Sequence, residues 1–113
     1  MEITLFYIPI GSEQEATYLG DLVIGKKLAA CSNVFPVTSA FPWNGKLEKE
    51  YEFVLILKTI PSLRDSLRSF IEGNHPYDTP CILSWSAEVN ESYFKWMYEQ
   101  LDVRSSMDMD LEY

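Results

Sequence analysis

Three side chains in this sequence have the chemistry of transition-metal ligands. His75 is the only histidine, and a neutral imidazole is the commonest ligand for such ions. Cys31 and Cys81 are the only cysteines, and thiolates suit Cu(I) and Zn²⁺. Each residue also has a structural interpretation, because His75 can fix its proline-bracketed loop by hydrogen bonding and a free cysteine packs as a small hydrophobe. A lone imidazole needs further ligands to form a metal site, so both interpretations stay open.

The spacing of the two cysteines does not indicate a metal knuckle. Cys31 and Cys81 lack the CxxC form, and in a reducing compartment two unpaired, buried thiols are expected rather than a disulfide. The first residues enter a strand pattern at once, without the charged, apolar and small-residue progression of a signal peptide. We therefore expect a cytoplasmic location.

A second group of polar side chains could serve an anionic ligand or a hard cation. Lys58 falls near the end of a predicted strand, and Tyr77 carries a hydroxyl two residues after the histidine. The acidic residues of the same predicted strand share one face, and we expect them to be solvated and to protect a sheet edge. They are Glu48, Glu50 and Glu52.

The sequence does not indicate an enzyme. It contains no Gly-rich phosphate loop, no HExxH and no GxSxG motif. A dyad of Cys31 and His75 can be written down, but no feature of the sequence places the two side chains together. We therefore predict a protein without catalytic residues.

Hydrophobic periodicity predicts seven elements, in the order strand, helix, two strands, helix, strand, helix. Strands are expected over 2–8, 31–43, 46–59 and 81–87. The second should be interrupted near Pro36 and Pro42, because proline cannot donate to a ladder. A capping box at Ser12 and Glu15 predicts the start of the first helix, which should run to about residue 28. The second helix should begin at Ser62 and Asp65 and end at Gly73. Asn90 should cap the last helix.

The dipeptide Asn44-Gly45 predicts a tight hairpin, because both residues tolerate the positive φ of a type I′ turn. The return strand over 46–59 is longer than most strands, so we expect a ribbon with a buried base and a half-exposed tip. This order predicts an α+β, ferredoxin-like βαββαβ sandwich with an antiparallel sheet, a long β-hairpin and a C-terminal helix. We expect one domain over 1–103 and a flexible acidic tail over 104–113.

Composition limits the partners of this domain. The 113 residues carry a formal net charge of −8, which repels phosphate backbones, so neither nucleic acid nor an anionic membrane is expected as a partner. Aromatic residues make up 14% of the chain. That is a heavy load for a small core, and it favours some rings at a subunit interface.

An ordered set of short motifs resembles the CutA family. The set runs Ala29-Ala30-Cys31-Ser32-Asn33-Val34, Thr38-Ser39, Trp43-Asn44-Gly45-Lys46, Glu50, Lys58-Thr59, His75-Pro76-Tyr77, Pro80, Asn90, Tyr93 and Trp96. The resemblance implies a ferredoxin-like subunit in a tight homotrimer, with a role in tolerance of copper and other divalent ions. The family's architecture is similar to that of the PII signalling proteins, which bind small effectors in clefts between subunits. This similarity makes Lys58, Tyr77 and Trp43 candidates for lining such clefts.

The sequence departs from the family at the metal ligands. The family's ligands are a cysteine in the first strand and a His-His pair before the Pro-Tyr, whereas this chain has Tyr7-Ile8 and Asn74-His75. The resemblance therefore implies only part of a metal site, with His75 at the family's histidine position, and Cys31 and Cys81 stay candidates by the chemistry of their thiols alone. No cofactor is certain, and a copper or other divalent ion is the candidate. Two hypotheses remain, a trimer that binds divalent metal and a PII-like scaffold for a small ligand or a partner.

Overall fold

A computed structural model describes residues 1–101 of the chain. The elements are β1 (Glu2–Ile10), α1 (Glu13–Gly25), β2 (Cys31–Trp43), β3 (Lys46–Thr59), a 3-10 turn (Pro61–Leu63), α2 (Arg64–Asn74), β4 (Leu83–Glu88) and α3 (Glu91–Leu101). The four strands form one antiparallel sheet in the order β2-β3-β1-β4. The predicted ferredoxin-like fold is confirmed. The acidic tail expected over 104–113 lies outside the described residues.

The start of α1 has one half of the predicted capping box, because the Glu15 carboxylate accepts from the Ser12 hydroxyl rather than from a backbone amide. The Ser12 hydroxyl accepts a hydrogen bond from the Glu15 amide at 3.1 Å and donates one to the Glu15 carboxylate at 3.1 Å. The helix ends at Gly25 rather than near 28, because Lys27 adopts a positive φ of 58° that a helix does not continue. Its buried residues are Ala16, Leu19, Gly20 and Val23, and Ile24 is exposed.

The hairpin between β2 and β3 has the predicted turn. Asn44 and Gly45 have φ values of 51° and 77°, as a type I′ turn requires. β2 is continuous despite Pro36 and Pro42, because it is an edge strand and a missing donor can face away from the ladder. β3 has the predicted bounds.

Three boundaries of α2 and β4 differ from the sequence prediction. α2 begins at Arg64 after a 3-10 turn, and no side chain caps it, so Ser62 is not the predicted cap. The helix passes through Gly73 and ends at Asn74, whose side-chain amide donates to the Phe70 carbonyl at 2.8 Å. Cys81 precedes β4, which begins at Leu83.

The helices cover the two faces of the sheet unequally. α1 and α2 pack on the face that carries Phe6, Ile8 and Leu57, and this side forms the larger core. α3 packs on the opposite face against Ile3 and Leu5, at one end of the sheet. The rest of that second face has no helix over it in the described part of the chain. The long ribbon extends beyond the body, which gives extents of 56 × 28 × 22 Å.

Candidate functional site

His75 is the first residue of the loop between α2 and β4, and each of its ring nitrogens makes a hydrogen bond. Nε2 lies 3.0 Å from the Pro9 carbonyl oxygen, and the Tyr77 amide lies 3.0 Å from Nδ1. A carbonyl can only accept and an amide N–H can only donate, so Nε2 carries the proton and Nδ1 accepts. The imidazole therefore ties the loop to the end of β1. To coordinate a metal, it must give up one of these hydrogen bonds.

The hydroxyl of Tyr77 is also engaged, by a carboxylate of β3. It donates to Glu52 Oε2 at 2.6 Å, and Glu52 is only 8% exposed. Burial raises the pKa of Tyr77 well above its usual range, and the hydrogen bond to Glu52 and the charges of Glu50 and Glu15 raise it further. Glu52 was predicted to be solvated on an exposed ribbon face, and that prediction is wrong. The sequence did contain an indication that Glu52 is buried, because this residue lies next to the apolar half of β3.

The two thiols lie in different settings. Both are free, as predicted, but neither is fully buried, since Cys31 is half-buried and Cys81 is exposed. Cys81 lies in the same loop region as His75, before β4. Cys31 is the first residue of β2, so its backbone position is set by the ladder to β3.

Cys31 has a lysine and a tyrosine as neighbours. It pairs with Lys58 across the β2–β3 ladder, so the two side chains share one face of the sheet. The Lys58 ammonium lies 5.5 Å from the centre of the Tyr93 ring, which comes from α3. Burial raises the pKa of Tyr93, and the adjacent Cys31 side chain raises it further through its charge and a hydrogen bond. Tyr93 was predicted only as a core or interface ring, so its part in this group was missed.

The predicted metal ligands do not meet within one chain. Among residues 1–101, no group of three His, Cys, Asp or Glu side chains could hold a metal ion. The cleft candidates are also separate. Trp43 ends the 13-residue β2 whereas Lys58 pairs with its first residue, so the two lie about 40 Å apart at roughly 3.3 Å per residue. Trp43 can reach the other candidates only on a neighbouring copy.

Large apolar side chains occupy the part of the sheet that no helix covers. Strand pairing puts Tyr7, Ile56, Leu83 and Trp85 on the same face as Leu5. Phe35 joins them through its pairing with Val54. Phe35, Leu83 and Trp85 are all exposed. We call Tyr7, Phe35, Ile56, Leu83 and Trp85 the open face.

No helix within residues 1–101 combines the length and the apolar character that a membrane crossing requires.

Comparisons with known proteins match nearly all of the described chain. Residues 4–100 match the family model described as CutA1 divalent ion tolerance protein. The divalent-cation tolerance protein CutA of Archaeoglobus fulgidus is 36% identical over 97 residues, which cover 85% of this chain and 95% of the relative. A CutA homologue of Danio rerio is 34% identical over 98 residues, and there the match spans 65% of the relative's length.

Solved structures agree with the fold and correct one prediction. The divalent ion tolerance protein CutA1 of Ehrlichia chaffeensis superposes with a TM-score of 0.85 at 29% identity, covering 88% of this chain and 94% of that one. The Archaeoglobus fulgidus structure, described as a periplasmic divalent cation tolerance protein, gives 0.82 at 36% identity, covering 89% and 99%. The predicted cytoplasmic location is wrong by this comparison. It rested only on a missing targeting pattern, and such an absence does not determine a compartment. The family model, the relatives and the superpositions together confirm the resemblance, and the chain belongs to the CutA1 divalent ion tolerance family.

Proposed function

We propose that this divalent-cation tolerance protein acts as a homotrimer that binds divalent or copper ions at sites shared between subunits. The observation that carries the proposal is the open face. Exposed apolar side chains on an uncovered sheet face lose contact with water when another copy packs on them, and such patches mark interaction surfaces.

The ribbon supports the same assembly. The radius of gyration is 15.8 Å, against about 13 Å for a compact domain of similar length. Trp43, Leu47 and Tyr51 are exposed along the part that projects. A ribbon this long with apolar side chains needs a surface on which to pack, and a neighbouring subunit provides one. The assembly would also bring Trp43 of one copy toward the sheet of another.

Assembly would also explain how a chain with no three converging ligands among residues 1–101 could hold a metal. Cys81 is the first ligand that we propose, because its thiol is exposed and soft enough for copper or zinc. His75 lies in the same loop and can join if Nδ1 releases the Tyr77 amide. Cys31 is the least favoured of the three, because the ammonium of Lys58 lies on the same face and repels a cation.

Light scattering after gel filtration tests the assembly. The expected particle has three times the chain mass of 13.1 kDa at micromolar concentration. Phe35→Lys puts a charge on the open face and should yield monomers, whereas Tyr18→Lys, on the outer side of α1 at 68% exposure, should leave the trimer intact. A parent protein that is monomeric would contradict the proposal.

Calorimetry with copper and zinc tests the metal site. We expect Cys81→Ser to lose most of the binding, His75→Ala to weaken it and Cys31→Ser to change it least. Cys31→Ser serves as the control for removal of a thiol elsewhere in the fold. A parent trimer that binds neither ion would remove the metal part of the proposal and leave the assembly standing.

A second function is supported by one specific observation, the ammonium of Lys58, which has no carboxylate partner within residues 1–101. Among the described residues no ion pair includes Lys58, although the protein is strongly acidic. A PII-like trimer that binds a small anionic effector between subunits would use such a group. Thermal shifts with small anions but not with metals would favour this alternative. In either case we propose a non-enzymatic role, since His75 and Cys31 have different hydrogen-bond partners and do not form the dyad considered above.

A further inference from the structure

A groove lies between α2 and the segment that follows α1. It has a volume of about 710 Å³, and its lining consists of Leu28, Asp65, Ser66, Ser69, Phe70 and Asn74. Leu28 and Phe70 are half-buried and pack against the larger core, so they give the groove an apolar base. The open face lies on the opposite side of the sheet, so the assembly proposed above does not use this groove.

The surroundings of the groove carry a net positive charge, although the protein is strongly acidic. α2 itself is neutral, with two arginines and two acids, and the acid in the lining, Asp65, is paired with both arginines at 3.3 and 3.1 Å. Lys26 and Lys27 follow α1, both are exposed, and no ion pair within residues 1–101 includes either of them. The Lys26 ammonium lies 5.7 Å from the centre of the Phe70 ring. The groove therefore fits a segment that is both acidic and apolar.

The last described residues lie beside these lysines. The Lys27 ammonium donates to the Gln100 carbonyl at 3.4 Å, one residue before α3 ends at Leu101. The next residue after Lys27 is Leu28, which lines the groove. The twelve residues 102–113 can span up to about 40 Å at 3.3–3.6 Å per residue, so they can reach the groove from this point.

Residues 102–113 lie outside the described part of the chain, and their sequence complements the groove in charge and in pattern. They contain four acids and one arginine. Apolar and acidic residues alternate without interruption from Met107 to Glu112. Because side chains alternate along an extended backbone, Met107, Met109 and Leu111 would share one side and the three acids between and after them the other.

We propose that residues 102–113, the terminal segment, dock in this groove of their own chain. The apolar side of the segment covers Leu28 and Phe70, and its carboxylates face the ammonium groups of Lys26 and Lys27. The docking needs neither a metal nor a neighbouring copy, so it is independent of the function proposed above.

A spin label on the terminal segment of the full chain tests the docking. Ser106→Cys carries the nitroxide, in a background of Cys31→Ser and Cys81→Ser that removes the native thiols. The readout is the loss of amide signal intensity in nitrogen-15 spectra. We expect the amides of Ser66 and Ser69 to lose most of their intensity. An unchanged intensity at these two amides would overturn the proposal.

Two variants with the same change of charge give the matched comparison. Lys26→Glu removes a cation beside the groove and should restore the signals of the groove amides at least about twofold. Lys95→Glu, on α3 with its side chain 69% exposed, should leave them broadened. Met109→Ser with Leu111→Ser should restore them as well, because the apolar side of the segment is lost. Broadening that persists in Lys26→Glu would contradict the proposal.

Mixed particles distinguish the chain's own segment from that of a neighbouring copy. Copies that carry nitrogen-15 but no spin label are refolded together with spin-labelled copies that carry no nitrogen-15. We expect the groove amides to keep their intensity in this mixture, because each segment occupies the groove of its own chain. Broadening as strong as in the doubly labelled chain would assign the groove to a neighbour's segment and overturn the proposal.

Discussion

The Tyr77 hydroxyl donates a 2.6 Å hydrogen bond to the carboxylate of Glu52, across 25 positions of sequence. Glu52 belongs to β3 at the base of the ribbon, and Tyr77 belongs to the loop after α2. His75 ties the same loop to the Pro9 carbonyl and to the Tyr77 amide. The loop that carries two predicted ligands is therefore held by side-chain hydrogen bonds to β1 and β3.

Tyr77→Phe should lower the free energy of unfolding by about 1–2 kcal/mol, because it leaves the buried Glu52 carboxylate without its donor. The loss stays moderate because the ring of residue 77 is half-exposed, so water can reach the Glu52 carboxylate. Urea unfolding measures the change. Tyr51→Phe is the matched control, because Tyr51 is 85% exposed and should change stability by less than about 0.5 kcal/mol. Equal losses in both variants would mean that the hydrogen bond contributes nothing.

Stability should decline in alkaline solution. Burial and Glu52 raise the pKa of Tyr77 in the folded chain, so the folded state holds this proton more tightly than the unfolded state does. That stabilisation is fully present below the unfolded pKa of about 10 and is lost as pH rises above it. Tyr93, whose pKa is also raised, acts in the same direction.

The measurement is the urea midpoint at several pH values on both sides of that pKa. The parent should show a steeper alkaline decline than Tyr77→Phe, which retains only the contribution of Tyr93. Parallel curves for the two proteins would show that the Tyr77 proton is not held more tightly in the folded state.

Local signals in the sequence were sufficient for much of the fold. The capping box at Ser12 and Glu15 and the turn at Asn44-Gly45 each depend on residues only a few positions apart. The start of α2 was misplaced at Ser62, because Pro61 begins a 3-10 turn and that turn, not the serine, leads into the helix. Competing turn geometries of similar energy are hard to separate by pattern alone.

The candidate site was less predictable, because its contacts join distant parts of the chain. The pairing of Cys31 with Lys58 follows from the ladder register, and hairpin geometry fixes that register once the turn is placed. The position of Tyr93 over Lys58 depends on how α3 packs, which periodicity does not determine. The partner of Glu52 comes from a loop, where pattern rules give no coordinates.

Glycine-to-alanine replacements at two positions should have opposite effects. Gly45 has a φ of 77°, which strains a residue with a Cβ, so Gly45→Ala should cost about 1 kcal/mol and weaken the trimer through the ribbon. Gly73 lies in α2 with open space around its Cα, so Gly73→Ala should gain about 0.5–1 kcal/mol. Thermal unfolding and light scattering on both variants check this. A stabilising Gly45→Ala would contradict the turn's role.

The structural and ligand roles of His75 should separate in a pair of variants. In the presence of a chelator, His75→Ala should lose about 1–3 kcal/mol of unfolding free energy, because the Pro9 carbonyl and the Tyr77 amide both lose their partner. Cys81→Ser should lose less than about 0.5 kcal/mol, since the exposed thiol forms no disulfide. With zinc added, the parent should gain stability in proportion to binding, and Cys81→Ser should lose most of that gain. His75→Ala should keep part of the gain while remaining less stable than the parent. A His75→Ala variant as stable as the parent under chelation would show that the histidine is not a structural tie, and its ligand role would then become the better explanation.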